Sequence, residues 1–70
     1  MQDIATTKVW SGPDLRRLRE ARALRQADLA PRVGISRAAL AVVEGKARPS
    51  DRDVDRYLRA INAIARDVAE

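Results

Sequence analysis

The chain contains no cysteine, no histidine and no phenylalanine, and Trp10 and Tyr57 are its only aromatic residues. Without cysteine there can be no disulfide. Without cysteine and histidine there are neither the usual zinc ligands nor the common nucleophile–base pairs of hydrolases. A glycine-rich phosphate loop is also missing. We therefore expect a binding protein that has no catalytic residues, metal or cofactor.

Long apolar stretches are absent too. No run approaches the roughly 20 apolar residues that cross a bilayer, and Met1–Thr7 lacks the pattern of a signal peptide. Seventy residues permit a single domain, and a domain this small buries a smaller fraction of its surface than a large one does. We expect a soluble, cytoplasmic protein, which could gain stability by self-association.

Positive charge is unevenly distributed along the sequence. Residues 1–50 contain ten Lys and Arg against five acidic residues, whereas residues 51–70 contain four Arg against five acidic residues. This asymmetry suits a nucleic-acid surface backed by an interaction surface. Charge alone favours an ordinary solvated basic surface, so it does not decide the function.

Serine residues that can cap helices, each followed by apolar residues at helical spacing, predict an all-α chain. Ser11 and Asp14 form an imperfect capping box, with Trp10 and Leu15 spaced as a hydrophobic staple. Gly34 is suited to end a helix. The predicted segments are a flexible arm over residues 1–10 and a domain over 11–70, with helices from Ser11 to about Ala23, over Gln26–Val33, from Ser36 to about Glu44, and over about 51–69.

The segment 26–45 is the most informative part of the chain. It reads as two short helices joined at Gly34, with an apolar inward face on each. These faces comprise Leu29, Ala30 and Val33 on the first helix and Leu40 and Val43 on the second, with Ile35 at the corner. A helix pair held at a fixed angle by so small a core is typical of the helix-turn-helix, which places its second helix in a DNA major groove.

The chain closely resembles the lambda and 434 repressor and Cro type of helix-turn-helix domain, the Xre family. The matching stretches lie between Leu15 and Ile61 at the right mutual spacing: Leu-Arg-Arg-Leu-Arg-Glu-Ala-Arg22, Gln-Ala-Asp-Leu-Ala30, Val-Gly-Ile-Ser36, Glu44-Gly45-Lys46 and Pro49-Ser50. The resemblance implies a compact bundle of four to five helices that binds a palindromic double-stranded DNA site as a homodimer, usually as a repressor.

Three features depart from the family pattern. Pro31 lies inside the second helix, where we expect a kink or a shortened helix. Arg25 stands where the family usually has a serine or threonine cap. After Ile61 the chain continues without the glycine that commonly precedes a fifth helix, so the last helix is expected to be long.

The resemblance also assigns DNA-contacting residues. The base-reading face of the third helix would comprise Arg37, Ala38, Ala41 and Val42, of which only Arg37 can make two hydrogen bonds to guanine. The three small residues could instead form a surface for another protein. The expected phosphate contacts are Arg25, Gln26, Ser36, Lys46 and Arg48, although each basic side chain could equally be a solvated charge.

Two further sets of residues are expected to have structural roles. The family often pairs a first-helix arginine with the glutamate that ends the third helix, which corresponds to Arg19 and Glu44. The last helix has an apolar stripe that extends past what a small core covers. Its first part, Val54, Leu58 and Ile61, should close the core of the domain. From the stripe we also expect a dimer interface made by Tyr57, Ile61, Ile64, Ala65 and Val68, although Tyr57 lies to the side and could serve either surface.

The leading hypothesis is therefore a sequence-specific transcriptional regulator. The alternative is an antitoxin or another interaction module that uses the same fold to bind a partner protein. The alanine-rich face of the third helix and the apolar end of the last helix favour that alternative.

Overall fold

Four helices make up the part of the chain that the structure, a computed structural model, describes: the backbone of residues 9–69 and the side chains of residues 9–67. They are α1 (Gly12–Ala21), α2 (Gln26–Val33), α3 (Arg37–Gly45) and α4 (Asp51–Ala69). No strand occurs among these residues. The all-α helical bundle with a long last helix is confirmed, whereas the predicted arm lies, up to Lys8, outside the described residues.

Serine side chains cap the N-termini of three of the helices, as the sequence predicts. Ser11 Oγ accepts from the amide of Asp14 at 3.1 Å, and the Asp14 carboxylate accepts from the amide of Ser11 at 3.0 Å. Aspartate therefore completes the capping box in place of the commoner glutamate. The hydroxyls of Ser36 and Ser50 accept from amides three residues on, at 3.0 and 3.1 Å.

The end of α1 differs from the prediction. The helix stops at Ala21 because Ala23 adopts a left-handed conformation with φ of 56°. The amide of Leu24 donates to the carbonyl of Arg19 and that of Ala23 to the carbonyl of Glu20. This is the Schellman arrangement, in which glycine usually occupies the left-handed position. Because that position holds alanine here, the local sequence gave no stop signal.

Helix α2 has its predicted limits in spite of two unfavourable residues. It continues through Pro31 and ends at Gly34, whose φ is 90°. At its start the guanidinium of Arg25 has no acceptor to offer. The carboxylate of Asp28 instead accepts from the amide of Arg25 at 3.0 Å, so half of a capping box is present.

The core is built from one or two large residues of each helix. Helix α3 packs against α1 and α2, and α4 packs against α2 and α1. The most buried large side chains are Leu15, Leu29, Leu40, Tyr57 and Ile61. Trp10 packs against this core, as expected for a staple, so it belongs to the folded domain and not to the arm.

Burial corrects part of the expected dimer interface. Tyr57 and Ile61 are each only 1% exposed, so their side chains belong to the core and offer almost no surface to a second chain. They close the core because α4 lies across α1 and α2. Ile64 is half-buried and Ala65 is exposed. The side chain of Val68 lies outside the described set.

Within the described range, no helix combines the length and the apolar character that crossing a membrane requires.

Candidate nucleic-acid interface

Helices α2 and α3 form the two arms of the predicted helix-turn-helix. Leu29 and Ala30 are buried on α2, and Leu40 and Val43 are buried on α3. Ile35 lies partly buried at the corner between the helices. The inward faces predicted from the sequence are therefore the packed faces, and α3 is held at a fixed orientation by its apolar side.

The opposite side of α3 is open to solvent. Arg37, Ala38 and Ala41 are exposed, and Val42 is 59% exposed, which makes it one of the two most exposed large hydrophobic residues described. Their i, i+1, i+4, i+5 spacing places them on one face of the helix. The structure thus brings the four expected base-reading residues together on a single free surface.

Arg19 anchors the far end of α3 to α1. Its Nε donates to Glu44 Oε2 at 2.8 Å and its Nη2 donates to Glu44 Oε1 at 3.1 Å. The ion pair expected from the resemblance is therefore present, with side chains only 8% and 3% exposed. The remaining terminal nitrogen of Arg19 donates to the carbonyl of Leu24 at 2.7 Å, which also fixes the turn after α1.

Two neutral donors complete the surroundings of Glu44. The Tyr57 hydroxyl donates to Oε2 at 2.6 Å, and the Gln26 amide nitrogen donates to Oε1 at 3.0 Å. Burial by itself would raise the pKa of the Glu44 carboxyl. The hydrogen bonds from Arg19, Tyr57 and Gln26 outweigh burial and hold that pKa below its ordinary value of 4.5. The carboxylate therefore stays charged and fully bonded.

Burial and the Glu44 carboxylate act in the opposite direction on Tyr57. Together they raise the pKa of its hydroxyl well above the ordinary value of 10.0. The neutral phenol is thereby kept as a donor to Glu44. The sequence did not reveal this role, because nothing near Tyr57 in the chain indicates that it faces Glu44.

Gln26 connects this buried cluster to the exposed face of α3. While its amide nitrogen donates to Glu44, its Oε1 accepts from Arg37 Nη1 at 3.3 Å. The two hydrogen bonds define which side of the amide carries oxygen. Arg37 is therefore the one residue of the expected base-reading face whose side chain is connected, through Gln26, to the packed interior.

Arginine side chains surround an open cleft beside this contact. It is lined by residues of all three N-terminal helices and of the link before α2: Arg16, Arg19, Arg25, Gln26, Ala27 and Arg37. Arg16, which lies on α1 and pairs with Glu20 at 3.0 Å, is not among the residues predicted from the sequence. Its signal, an arginine one helical turn before Arg19, was present in the sequence.

The expected phosphate contacts do not all lie in this cleft. Arg25 and Gln26 line it, although the Arg25 guanidinium is also bonded to Asp28. Lys46 follows α3, where its carbonyl accepts from the amide of Gly12 at 2.7 Å. Arg48 lines a separate groove that also contains Trp10. Ser36 is exposed at the start of α3, outside the residues that line the cleft.

Gly12 permits the close approach of α1 to α3. A Cβ atom added there would lie 2.5 Å from the carbonyl oxygens of both Val43 and Glu44. No side chain fits at such a distance, since the obstacle is backbone. The sequence analysis missed this residue, because a glycine just after a helix cap looks like ordinary local variation.

One comparison with known proteins gives a match. A family model described as a helix-turn-helix domain matches residues 12–70, which include all four helices. No curated protein and no solved structure gives a significant match.

Proposed function

Because the chain belongs to the helix-turn-helix DNA-binding family, we propose that it is a sequence-specific regulator of transcription that reads double-stranded DNA with α3. The observation that carries this proposal is the exposed face of α3. Arg37, Ala38, Ala41 and Val42 lie free on a helix whose other side is anchored by Leu40, Val43 and Glu44.

The chemistry of that face matches a base edge. Arg37 offers two donors that suit the O6 and N7 of guanine, and the alanine and valine side chains suit the thymine methyl group. Gln26 positions the arginine before DNA arrives, which reduces the entropy lost on binding. Arg25, Gln26 and Arg16 line the adjoining cleft, where positive charge favours the phosphate backbone.

The finer assignment is to the lambda and 434 repressor and Cro type, the Xre family. The stretches quoted from the sequence support it, and so does the buried Arg19–Glu44 pair. On this assignment the protein is a repressor that acts in the cytoplasm of a prokaryotic cell, without catalytic activity.

We further propose that two copies bind a palindromic operator. Ile64 and Ala65 line an apolar groove with Arg22, Leu24 and the edge of Ile61, and this groove is the surface we assign to the second copy. Two α3 helices in successive major grooves would lie about 34–36 Å apart. Small-angle scattering of the DNA complex measures that spacing, and a different spacing would overturn the palindrome.

The DNA proposal is tested by selection from a random duplex library, followed by fluorescence anisotropy of the enriched site at two salt concentrations. We expect the enriched site to bind at least about a thousandfold more tightly than bulk DNA. Binding to bulk DNA should weaken with salt in proportion to the phosphates contacted. Equal affinity for enriched and bulk duplexes at both salt concentrations would refute sequence-specific recognition.

A protein-binding function, such as that of an antitoxin, is the second candidate. It is favoured by the low polarity of Ala38, Ala41 and Val42 and by the exposure of Ala65 at the apolar groove. Reporter repression in cells separates the two functions. If Arg37→Ala abolishes repression, DNA reading is required; if Arg37→Ala preserves the phenotype and Ile64→Asp removes it, the protein-binding function is the correct one.

A further inference from the structure

Helix α4 carries a row of arginines away from its buried face. Four of the five positions at alternating four- and three-residue spacing are arginine, and the fifth is alanine: Arg52, Arg56, Arg59, Ala63 and Arg66. At 100° per residue these positions share one side of the helix. The exposed Ala65 lies nearly opposite, so the row is separate from the surface that we assign to the second copy.

Part of this row borders a groove between α2 and α4. We call it the arginine groove, and it is lined by Arg32, Val33, Arg56, Arg59, Ala60 and Ala63. Val33 and Ala60 are buried, and Ala63 is half-buried. The small side chains leave room for another helix to approach, and the arginine stems add apolar surface beneath charged ends. Helix α3 contributes no residue to it.

Two arginines that line the arginine groove already form ion pairs with carboxylates of this chain. Arg32 Nη1 lies 2.8 Å from Asp67 Oδ2, and Arg59 Nε lies 3.1 Å from Asp55 Oδ2. All four side chains are about half exposed or more, so these pairs are weak and open to exchange. The geometry therefore suits carboxylates, and the present partners can be displaced.

The remaining arginines of the row retain unused donors. Arg56 donates to the carbonyl of Val33 at 3.1 Å, which fixes it at the groove. The side chains of Arg52 and Arg66 make no hydrogen bond or ion pair with any described residue. The row thus presents more positive charge than the chain itself neutralises.

We propose that the arginine groove docks an acidic amphipathic helix of a partner protein. Glutamate or aspartate side chains of that helix pair with Arg32, Arg56 and Arg59, and its apolar seam covers Ala63 and the arginine stems. A helix fits better than a DNA backbone because the groove has an apolar floor and because the arginines repeat at the spacing of a coiled-coil flank. This docking is independent of reading by α3.

The test uses a synthetic peptide of about three heptads with leucine at the a and d positions and glutamate at e and g. Isothermal titration at low salt should detect binding to the intact protein. A peptide with glutamine in place of each glutamate should not bind. Binding should weaken about tenfold for the double variant Arg32→Gln/Arg59→Gln, which leaves Arg56 and its bond to α2 in place.

The matched control is Arg16→Gln/Arg17→Gln, which removes the same charge from α1. It should bind the peptide nearly as tightly as the parent, whereas the groove variant should retain the parent's affinity for duplex DNA. Equal loss of peptide binding in both variants would show that only net charge matters and would overturn the proposal.

Two other results would assign the arginine row a different role. A larger loss of DNA affinity in the groove variant than in the control would make the row a DNA-binding surface. A lower sedimentation coefficient for the groove variant than for the parent would make the row a contact between two copies of this chain.

Discussion

The Arg19 guanidinium lies against the Glu44 carboxylate with two hydrogen bonds, at 2.8 and 3.1 Å, between residues 25 positions apart in the chain. This contact joins α1 to the end of α3 inside the protein. Through Gln26 the same carboxylate reaches Arg37 on the exposed face of α3. The buried Glu44 charge therefore adds to the apolar contacts that orient the proposed reading helix, and through Gln26 it also positions the one arginine of that helix.

Removing the Glu44 charge should strongly destabilise the folded protein. We expect Glu44→Gln to lower the free energy of unfolding by about 3–5 kcal/mol, because it leaves the buried Arg19 without its counter-charge. The same substitution at Glu20, which forms an exposed pair with Arg16, should cost less than about 1 kcal/mol. Urea unfolding of both variants measures the difference. Equal losses would show that the buried pair contributes no more than a surface pair.

The stabilisation from Glu44 should disappear in acid. Its pKa is lower in the folded protein than its ordinary value of 4.5, so its contribution is complete above that value and is lost as pH falls through the lower, folded value. The stability gap between the parent and Glu44→Gln should therefore narrow below pH 4.5. Asp28, whose pKa the hydrogen bond from Arg25 lowers, is common to both proteins and cancels. Thermal unfolding between pH 7 and 3 tests this, and a gap that stays constant would contradict it.

Gly12 should not tolerate even a methyl group. The added Cβ would lie 2.5 Å from two backbone oxygens of α3, so Gly12→Ala must push the two helices apart. We expect a loss of about 3 kcal/mol, at the upper end of overpacking effects. Gly45→Ala is the control, because a Cβ there meets nothing within 4 Å. A Gly12→Ala variant as stable as the control would show that α1 and α3 are not in close contact.

The turn after α1 offers a stabilising substitution. Ala23 has φ of 56°, a conformation that costs an L-residue about 1–2 kcal/mol and glycine almost nothing. Glycine also has more conformational entropy in the unfolded chain, and this offsets part of the gain. We therefore expect Ala23→Gly to stabilise the protein by about 0.5–1 kcal/mol. Gly34→Ala, at φ of 90°, should shift stability in the opposite direction. Differential scanning calorimetry of both variants checks the two signs; a destabilised Ala23→Gly would refute the strain.

Arg37 should carry base discrimination and Arg25 should not. We expect Arg37→Ala to reduce the preference for the selected site by about 1–3 kcal/mol. Arg25→Ala should weaken binding to all duplexes alike. The slope of log affinity against log salt concentration should become shallower by about one, which is the change expected for the loss of one phosphate contact. Anisotropy titrations on selected and bulk duplexes distinguish these effects. If both variants lost affinity without losing preference, Arg37 would be a phosphate contact as well.

Much of the fold could be predicted from the sequence, because the start and end of a helix depend mainly on hydrogen-bonding groups three or four residues apart. The hydroxyls of Ser11, Ser36 and Ser50 and the freedom of Gly34 act on their own helix, so their effects could be predicted from the order of residues. The inward faces of α2 and α3 follow from the same local periodicity. The Arg19–Glu44 pair was predicted as well, but only because the chain resembles a known family.

What the sequence alone determined, then, is where the helices begin and which of their sides are apolar. Only the tertiary structure decided that Tyr57 belongs to the core and not to a dimer surface, that Gly12 must lack a side chain, and that Gln26 joins Glu44 to Arg37. Those outcomes depend on which atoms face each residue from another helix. No local pattern contains that information, because it arises only when the four helices pack.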